Sequence, residues 1–464
     1  MDWADAPIAR RQIAIMSIVV FIAVGFKQIY SKFKEAIIRK RYFSALVDSM
    51  KNAFFITLIL ACAACKPSIK EDENFLENLM RQQPEDFDSV LLNKDKWEVQ
   101  IIYTQIDRDE NNTPSFKSFY FNVDSTRYFY PASTVKLPVA LLALEKLNHL
   151  QISGFDKFTT MLSDSVYAGQ SSAHKDSTSE SGLPSIEHYV KKILVVSDND
   201  AYNRLYEFLG QRAVNDKLQQ KGYYVKILHR LERPLSPDQN RHTEAIQFVK
   251  GDSIIYQQPM LVNTDSIFPY SISFKGKAHF KNDSLIQKPF DFSYKNFYPL
   301  TTQQKVLRAL LFPESVASNN RFDISAEERH FVLKYMSQLP TETSYPAYKS
   351  DTAYFDAYCK FLMFGESREK IPASIRIFNK VGDAYGYMLD NAYIIDTEHD
   401  IEFMLTAVIN TNVDEIYNDG IYEYSTIGYP FMRNIGRAIY DYEVSRPRKN
   451  KADLSAFKFI YDKP

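Results

Sequence analysis

Tyr130-Pro131-Ala132-Ser133-Thr134-Val135-Lys136-Leu137-Pro138, followed by the apolar run 139–147, is the stretch that decides the fold. Ser133 and Lys136 are three residues apart at the start of a predicted helix, so they share one face and the amine can reach the hydroxyl. A serine hydroxyl is a weak nucleophile without an adjacent base, and a desolvated lysine near a second cation can be that base. Pro138 lacks a backbone N–H and predicts a kink or a tight 3₁₀ turn between Ser133 and Leu137.

The Ser-x-x-Lys spacing has little specificity by itself. It occurs four more times in the chain, starting at Ser31, Ser172, Ser367 and Ser455. Two further motifs favour the copy at Ser133. Ser197-Asp198-Asn199 interrupts two predicted helices, and Lys380-Val381-Gly382 ends a predicted strand. A lone Ser-Asp-Asn is more often a helix cap than a catalytic corner, but three motifs in this order are far more specific.

Composition limits the function classes. The 464 residues are 45% apolar and 14% aromatic, which is enough for one large domain or two moderate ones. The formal net charge is −1 and no basic cluster interleaves with aromatic residues in the body of the chain, so nucleic acid is not expected as a partner. The eight histidines and three cysteines lack ligand spacing, so neither a metal site nor a cofactor is predicted. The oligomeric state stays open.

The N-terminal part predicts export. Residues 50–65 have a short basic start, an apolar run and small residues before cysteine, which is typical of a signal peptide. The ending resembles a bacterial lipobox, with Cys62 or Cys65 as the lipidated residue; a core helix ending in cysteines is the alternative. Residues 1–49 are interpreted as a non-native upstream extension, with a membrane anchor as the rival interpretation. The prediction is a membrane-anchored lipoprotein that faces the periplasm, in which Cys359 is the only cysteine outside the signal region.

The order of elements predicts the fold class. Residues 66–96 are polar and charged and predict a tether with an entry helix, and two β-branched segments before Ser133 predict a hairpin. A helical middle follows. Three late strands, with a turn at 382–386 after the first, and a closing helix at 424–442 complete the chain. This order predicts an α/β fold of the α+β type, in which both ends of the chain form an antiparallel sheet around a mostly helical inserted block.

The three motifs, in this order, resemble the set found in class A serine β-lactamases and penicillin-binding proteins. Sixty-four residues (197 − 133) separate the first two serines, which is similar to the class A spacing, and residues 230–233 resemble the entry to the class A omega loop. The resemblance extends from about Phe75 to Tyr442. It implies a β-lactamase/transpeptidase-like fold in a domain at 97–445, followed by a C-terminal tail at 446–464.

The resemblance also implies chemical roles. Ser133 attacks a β-lactam or peptide carbonyl and forms an acyl-enzyme, while Lys136 takes its proton directly or through water. Ser197 passes a proton to the departing nitrogen.

Substrate binding is implied at two further motifs. Asn199 holds the substrate's side-chain amide, Lys380 offers a cation to its carboxylate, and Gly382 is a further substrate-binding residue. The backbone N–H groups of Ser133 and Asp383 form the oxyanion hole.

The chain departs from the class A pattern at the omega-loop glutamate that activates the deacylating water. Leu235 or Ser236 falls at that position, so no carboxylate matches it. Glu232 or Asp238 is the possible deacylation base, with Glu244 as a third candidate. Such a base must lie within about 3 Å of its water, directly or through one more water.

Two other departures concern the substrate site. Val381 replaces a Thr or Ser hydroxyl, and 247 residues (380 − 133) separate Ser133 from Lys380, which exceeds a compact class A enzyme. The extra length lies mainly in predicted insertions at about 248–297 and 341–372, which roof the site or bind a partner.

Three functions follow from the motifs and the departures. The first is a β-lactamase-like serine hydrolase. The second is a peptidoglycan D-alanyl peptidase or penicillin-binding enzyme with slow deacylation. The third is a non-catalytic lipoprotein that binds cell-wall fragments.

Overall fold

The structure, a computed structural model, describes residues 74–266, 268 and 270–462. The predictions for residues 1–73, including Cys62 and Cys65, lie outside the described residues. The helices are α1 (Phe75–Arg81), α2 (Pro84–Leu92), α3 (Lys136–Leu150), α4 (Ile186–Val196), α5 (Asn199–Leu209), α6 (Gln211–Gln220), α7 (Pro237–Arg241), α8 (Leu300–Leu311), α9 (Ala326–Ser337) and α10 (Tyr429–Ser445). The strands are β1 (Gln100–Arg108), β2 (Pro114–Phe121), β3 (Thr160–Asp164), β4 (Ala245–Lys250), β5 (Ser253–Gln258), β6 (Phe274–Lys275), β7 (Ala278–Lys281), β8 (Ser284–Ile286), β9 (Phe290–Asp291), β10 (Ile375–Ala384), β11 (Tyr387–Asp396), β12 (Ile401–Asn410) and β13 (Ile416–Tyr417).

A five-stranded antiparallel sheet is the centre of the fold. Its strand order is β10-β11-β12-β1-β2, so the late strands and the early hairpin share one sheet. The junction between them is the β1–β12 pair, where Gln100 lies opposite Val408 and Gln105 opposite Phe403. The predicted fold class, an antiparallel sheet built from both ends of the chain, is confirmed.

Helices cover both faces of this sheet. Every residue of β11 and β12 is buried, as expected for central strands that have no solvated face. On one face, Leu76 of α1 and Ile435 of α10 share a core with Leu405 of β12. On the other face, Val139 of α3 shares a core with Met404 and with residues of α4, α5, α8 and α9. The molecule is therefore layered as helix, sheet and helix.

The start of α3 has the predicted irregular geometry. Ala132–Val135 forms a 3₁₀ turn and α3 begins at Lys136. Pro138 is the third residue of α3, where the backbone N–H has no intrahelical acceptor, so the missing donor costs nothing there. Because α3 is buried on almost every side, the turn that carries Ser133 is held by the core.

The hairpin after Lys380 is tighter than the sequence suggests. We predicted a turn at 382–386, but β10 continues to Ala384, with Gly382 opposite Leu389 and Asp383 opposite Met388. Only Tyr385 and Gly386 form the turn, at φ values of +55° and +79°. A two-residue turn with both φ values positive fits the twist of an antiparallel pair, so the ladder extends further than the apolar pattern indicates.

The two segments predicted as insertions differ in structure. Residues 248–297 contain short strands: β4 and β5 extend a small sheet from β3, while β6 pairs with β9 and β7 pairs with β8 and β13. Residues 341–372 contain no strand; they include the end of a 3₁₀ turn (Pro340–Glu342) and a short helical segment (Phe361–Phe364) with non-helical angles at Leu362 and Met363. Lys360 attaches this segment to β10. Its ammonium donates to the carbonyls of Met336 (2.7 Å) and Ile377 (2.9 Å) and to Oδ1 of Asn379 (2.7 Å).

Candidate active site

Ser133 lies on the wall of a cavity of about 710 Å³. Asn199, Glu232 and Asp383 line the same cavity, so residues far apart in sequence meet beside the predicted nucleophile. Ala132 immediately before it has φ +46°, a strained conformation that is concentrated at functional sites in proteins. Within the described part of the chain, nothing hydrogen-bonds the Ser133 hydroxyl, which is free to react.

Lys136 lies just behind the cavity wall and is fully buried. Its amine donates to the Ser197 carbonyl and to Oδ1 of Asn199, and it lies 3.3 Å from Oγ of Ser197. Burial lowers the pKa of Lys136 well below its usual value, and the nearby charge of Lys380 lowers it further. A lowered pKa favours the neutral amine, whose lone pair can accept a proton.

The predicted corner Ser197-Asp198-Asn199 joins α4 to α5. Ser197 ends α4 in the left-handed conformation (φ +60°), and the Asp198 carboxylate caps α5 by accepting from the Ala201 N–H at 2.7 Å. Helix capping is the ordinary structural role of a Ser-Asp-Asn motif, and here the Asp198 side chain performs it for α5. Ser197 and Asn199 are thereby turned toward Lys136.

Lys380 approaches the same serine from the sheet. It lies on β10 and donates to Oγ of Ser197 at 2.7 Å and to its neighbour's carbonyl, on Val381, at 2.9 Å. Its side chain is only 2% exposed, and burial lowers its pKa to about 8. The hydroxyl of Ser197 is therefore held between two buried lysines, and Lys380 presents its charge from behind the cavity wall.

Gly382 brings β10 against the nucleophile turn. A Cβ on Gly382 would lie 2.8 Å from the Ser133 backbone nitrogen, 3.0 Å from the Pro131 carbonyl oxygen and 3.1 Å from Cβ of Ala132. Only glycine permits this approach. The next residue, Asp383, reaches into the cavity. Desolvation raises the pKa of the Asp383 carboxyl, while the charges of Lys380 and Lys136 lower it by a smaller amount.

The segment that resembles the omega loop is closed by Arg230. Its guanidinium forms an ion pair with Glu207 and donates to the carbonyls of Gln239 (3.1 Å) and His242 (2.6 Å). Asn240 strengthens the closure, because its Oδ1 accepts from the Arg230 N–H at 3.0 Å. Both charged partners are almost completely buried, so this loop is held at its base by a desolvated ion pair.

The candidate deacylation bases lie in different environments. Glu232 lines the cavity beside Ser133 and has a left-handed backbone (φ +55°). Asp238 is exposed and accepts from the Tyr167 hydroxyl at 2.5 Å. Glu244 is buried against Arg204 at 2.7 Å. Of the three carboxylates, the structure therefore brings only Glu232 into the cavity.

Sequence reasoning missed several residues of the cavity wall. These are mainly aromatic or basic: Tyr130, His229, Phe290, Lys295, Tyr385 and Tyr422. His229 stacks on Tyr130 with an interplanar angle of 2°, and its two ring nitrogens contact the Arg230 carbonyl (2.7 Å) and the Asn296 N–H (3.3 Å). Burial, aided by nearby Lys295, lowers the pKa of His229 to about 4, so it is a neutral structural residue. The aromatic density of residues 248–297 was the only sequence signal for this wall.

In residues 74–462, excluding 267 and 269, no three His, Cys, Asp or Glu side chains are grouped as a metal site would require. In the same residues, no helix has the length and apolar character that crossing a membrane demands. The thiol of Cys359 is free and buried, and burial raises its pKa to about 11.

The layered antiparallel sheet agrees with the β-lactamase/transpeptidase-like fold that the resemblance implies, and Lys136 and Lys380 meet at Ser197. Residues 85–266 match the model of the beta-lactamase enzyme family. This range contains the Ser133 and Ser197 motifs. The resemblance to the superfamily of class A β-lactamases and penicillin-binding proteins is thus confirmed.

Several solved structures are similar to this chain. Similar solved structures include a beta lactamase from Xanthomonas campestris pv. campestris (13% identity, TM-score 0.42, covering 80% of this chain and 97% of that one). A beta-lactamase from Sphaerobacter thermophilus is also similar (14% identity, TM-score 0.42, covering 80% of this chain and 98% of that one). So is a beta-lactamase from Streptomyces albus G (13% identity, TM-score 0.41, covering 80% of this chain and 99% of that one). No curated protein sequence matches the chain.

Proposed function

We propose that the chain is a serine acyl-hydrolase that opens β-lactam amides through an acyl-enzyme on Ser133. The observation that carries this proposal is that Lys136 and Lys380 both contact Oγ of Ser197. Lys136 lies one helical turn from Ser133. Burial and the charge of Lys380 both lower the pKa of Lys136, so Lys136 is suited to be the neutral base that the nucleophile requires.

The proposed acylation step uses the side chains of Ser133, Lys136 and Ser197. Ser133 Oγ attacks the lactam carbonyl while its proton passes to the Lys136 lone pair, directly or through one water. The amide C–N bond breaks, and the departing nitrogen takes a proton from Ser197, which is resupplied by the neighbouring lysines. The negative charge on the carbonyl oxygen is stabilised by the N–H groups of Ser133 and Asp383.

Deacylation is assigned to Glu232, because it is the candidate carboxylate in the cavity. It would accept a proton from the water that attacks the ester, and Ser133 would be released with its proton restored. The prediction is that Glu232→Gln slows deacylation much more than acylation, by about 10²-fold or more. Asp238→Asn removes a carboxylate outside the cavity and is the matched control. Equal deacylation rates in the two variants would remove Glu232 from this role.

A peptidase acting on cell-wall peptides is the second candidate. Two observations favour it: Val381 offers no hydroxyl to a lactam carboxylate, and the cavity shares His229, Arg233, Pro234 and Lys295 with an adjoining cavity of about 490 Å³. The combined space suits an extended acyl donor. Release of D-alanine from muropeptides, lost in Ser133→Ala, would support this function.

One experiment separates the candidates. The purified chain is incubated with a chromogenic cephalosporin, and its intact mass is followed over time alongside Ser133→Ala. A transient adduct with product supports a lactamase, and a persistent adduct supports a penicillin-binding enzyme. No adduct on a folded protein, with no release of D-alanine, would leave the binding-protein function.

We further propose that the native protein is exported and lipid-anchored, on the evidence of the signal-like residues 50–65. Mass spectrometry of the native protein, with Cys62→Ala and Cys65→Ala variants, tests this proposal. Any native peptide from residues 1–49 would contradict translation from Met50.

A further inference from the structure

Lys295 is a cation of the cavity wall without an anionic partner. Three basic residues line the cavity, and two of them are committed: Arg230 to Glu207 and Arg233 to Asp200, the latter at 3.1 Å. For Lys295, no ion pair or side-chain hydrogen bond is formed with any residue the structure describes. A cation held at a cavity wall without a counterion is a place where an anionic group of a ligand binds favourably.

Two aromatic rings frame this ammonium. Nζ of Lys295 lies 5.7 Å from the ring centroid of Phe290 and 5.7 Å from that of Tyr385. Cation–π contacts at this distance hold a charge without neutralising it, and they also limit the side chain's freedom. The two acidic residues of the cavity, Glu232 and Asp383, make no ion pair with it within 4.0 Å. The Lys295 ammonium is therefore ordered and still available to an anion.

The strand geometry determines which part of a substrate reaches Lys295. Gly382 of β10 lies against the Ser133 nitrogen, so the reacting carbonyl sits beside it. Lys380 is two residues away in one direction and Tyr385 is three residues away in the other. At about 3.3 Å per residue, the end of β10 at Ala384 is roughly 7 Å from Gly382 on the side away from Lys380, and Tyr385 follows in the turn. A group that binds Lys295 thus belongs to the acyl arm of the substrate, not to the departing part.

We propose that Lys295 binds a second carboxylate, carried on the acyl arm of the substrate, so that the preferred acyl donors are anionic at both ends. This inference rests on the proposed function, whose site it uses. A lactam with a carboxylated side arm and a cell-wall peptide with an acidic side chain share this chemistry. The adjoining cavity, which also has Lys295 in its wall, leaves room for the rest of a long arm.

The test compares ligands that differ only in that charge. The lactam pair is a cephalosporin with a glutaryl arm and the same compound ending in a carboxamide. The peptide pair is acetyl-Glu-D-Ala-D-Ala and acetyl-Gln-D-Ala-D-Ala. Equilibrium binding is measured on the Ser133→Ala protein, in which acylation cannot occur, with Lys295 unchanged, Lys295→Met or Lys295→Arg. Lys288→Met is the matched control, since Lys288 is an exposed lysine of the same segment outside the cavity.

We expect the carboxylate ligand of at least one pair to bind about tenfold more tightly than its neutral partner, as one charge-assisted contact provides. Lys295→Met should abolish this preference, Lys295→Arg should restore it and Lys288→Met should leave it unchanged. The pair that shows the preference identifies the source of the substrate. Equal binding within both pairs, absence of binding, or a preference that survives Lys295→Met would overturn the proposal. Failure of the proposed function has a different signature: Ser133 stays unmodified in the parent chain, whatever the charge preference in binding.

Discussion

Gly382→Ala is expected to damage acylation more than stability. The new Cβ would lie 2.8 Å from the Ser133 nitrogen, whereas ordinary contact begins at 3.4 Å, so β10 and the nucleophile turn must separate by about 0.6 Å. A displacement of this size moves an oxyanion donor out of its 2.7–3.1 Å range, and losing one donor costs about 10²- to 10³-fold in rate. The overpacking itself should lower the free energy of unfolding by roughly 1–3 kcal/mol.

The assay is the second-order rate of acylation by a chromogenic cephalosporin, with thermal unfolding measured in parallel. Gly251→Ala is the control, because Gly251 also has a positive φ (+59°) but nothing lies within 4 Å of the added Cβ. The control should lose some stability and keep its acylation rate. If Gly382→Ala is folded and acylates within about threefold of the parent, the oxyanion geometry inferred from this close approach is wrong.

Three further predictions concern charge. Acylation should fall as the pH rises through about 8, because the pKa of Lys380 is lowered to that value and its ammonium is lost above it; Lys380→Arg should extend activity to higher pH, and an unchanged profile would contradict this. Arg230→Met should lower the free energy of unfolding by about 3–5 kcal/mol in chemical denaturation, because it leaves Glu207 buried without its partner. Adding Glu207→Gln should recover part of this loss, and a purely additive effect of the two substitutions would refute the coupling. Lys360→Met should destabilise the fold by a similar amount, because three acceptors lose their donor; a change below about 1 kcal/mol would show that solvent replaces the donor.

The charge arrangement of the site has a simple physical basis. Two buried lysines contact one hydroxyl, and burial together with the charge of Lys380 makes the proton of Lys136 less stable. Lys136, the more strongly affected of the two, is one helical turn from Ser133. Positive φ values also occur in this region, at Ala132, Ser197 and Tyr385. The core around α3 and the sheet supplies the stability that holds these conformations.

Much of the framework was predictable from the sequence. The antiparallel sheet and the 3₁₀ turn before α3 follow from β-branched segments and from a proline, which are local properties of the chain. The pairing of Ser133 with Lys136 is also local, because residues three apart share a helix face. The hairpin at Tyr385 was misplaced, since the end of a ladder depends on the twist of both strands and not on either sequence alone.

The tertiary structure alone decided the contents of the cavity. Glu232 and Asp238 are equivalent carboxylates in the sequence, and only the folded loop places the first in the cavity with Ser133 and leaves the second in solvent. Lys295 had no motif to mark it, because its role depends on packing between segments far apart in the chain. Local spacing therefore predicts a nucleophile and a base, whereas the environment that sets their pKa values and would select a substrate exists only once the chain has folded.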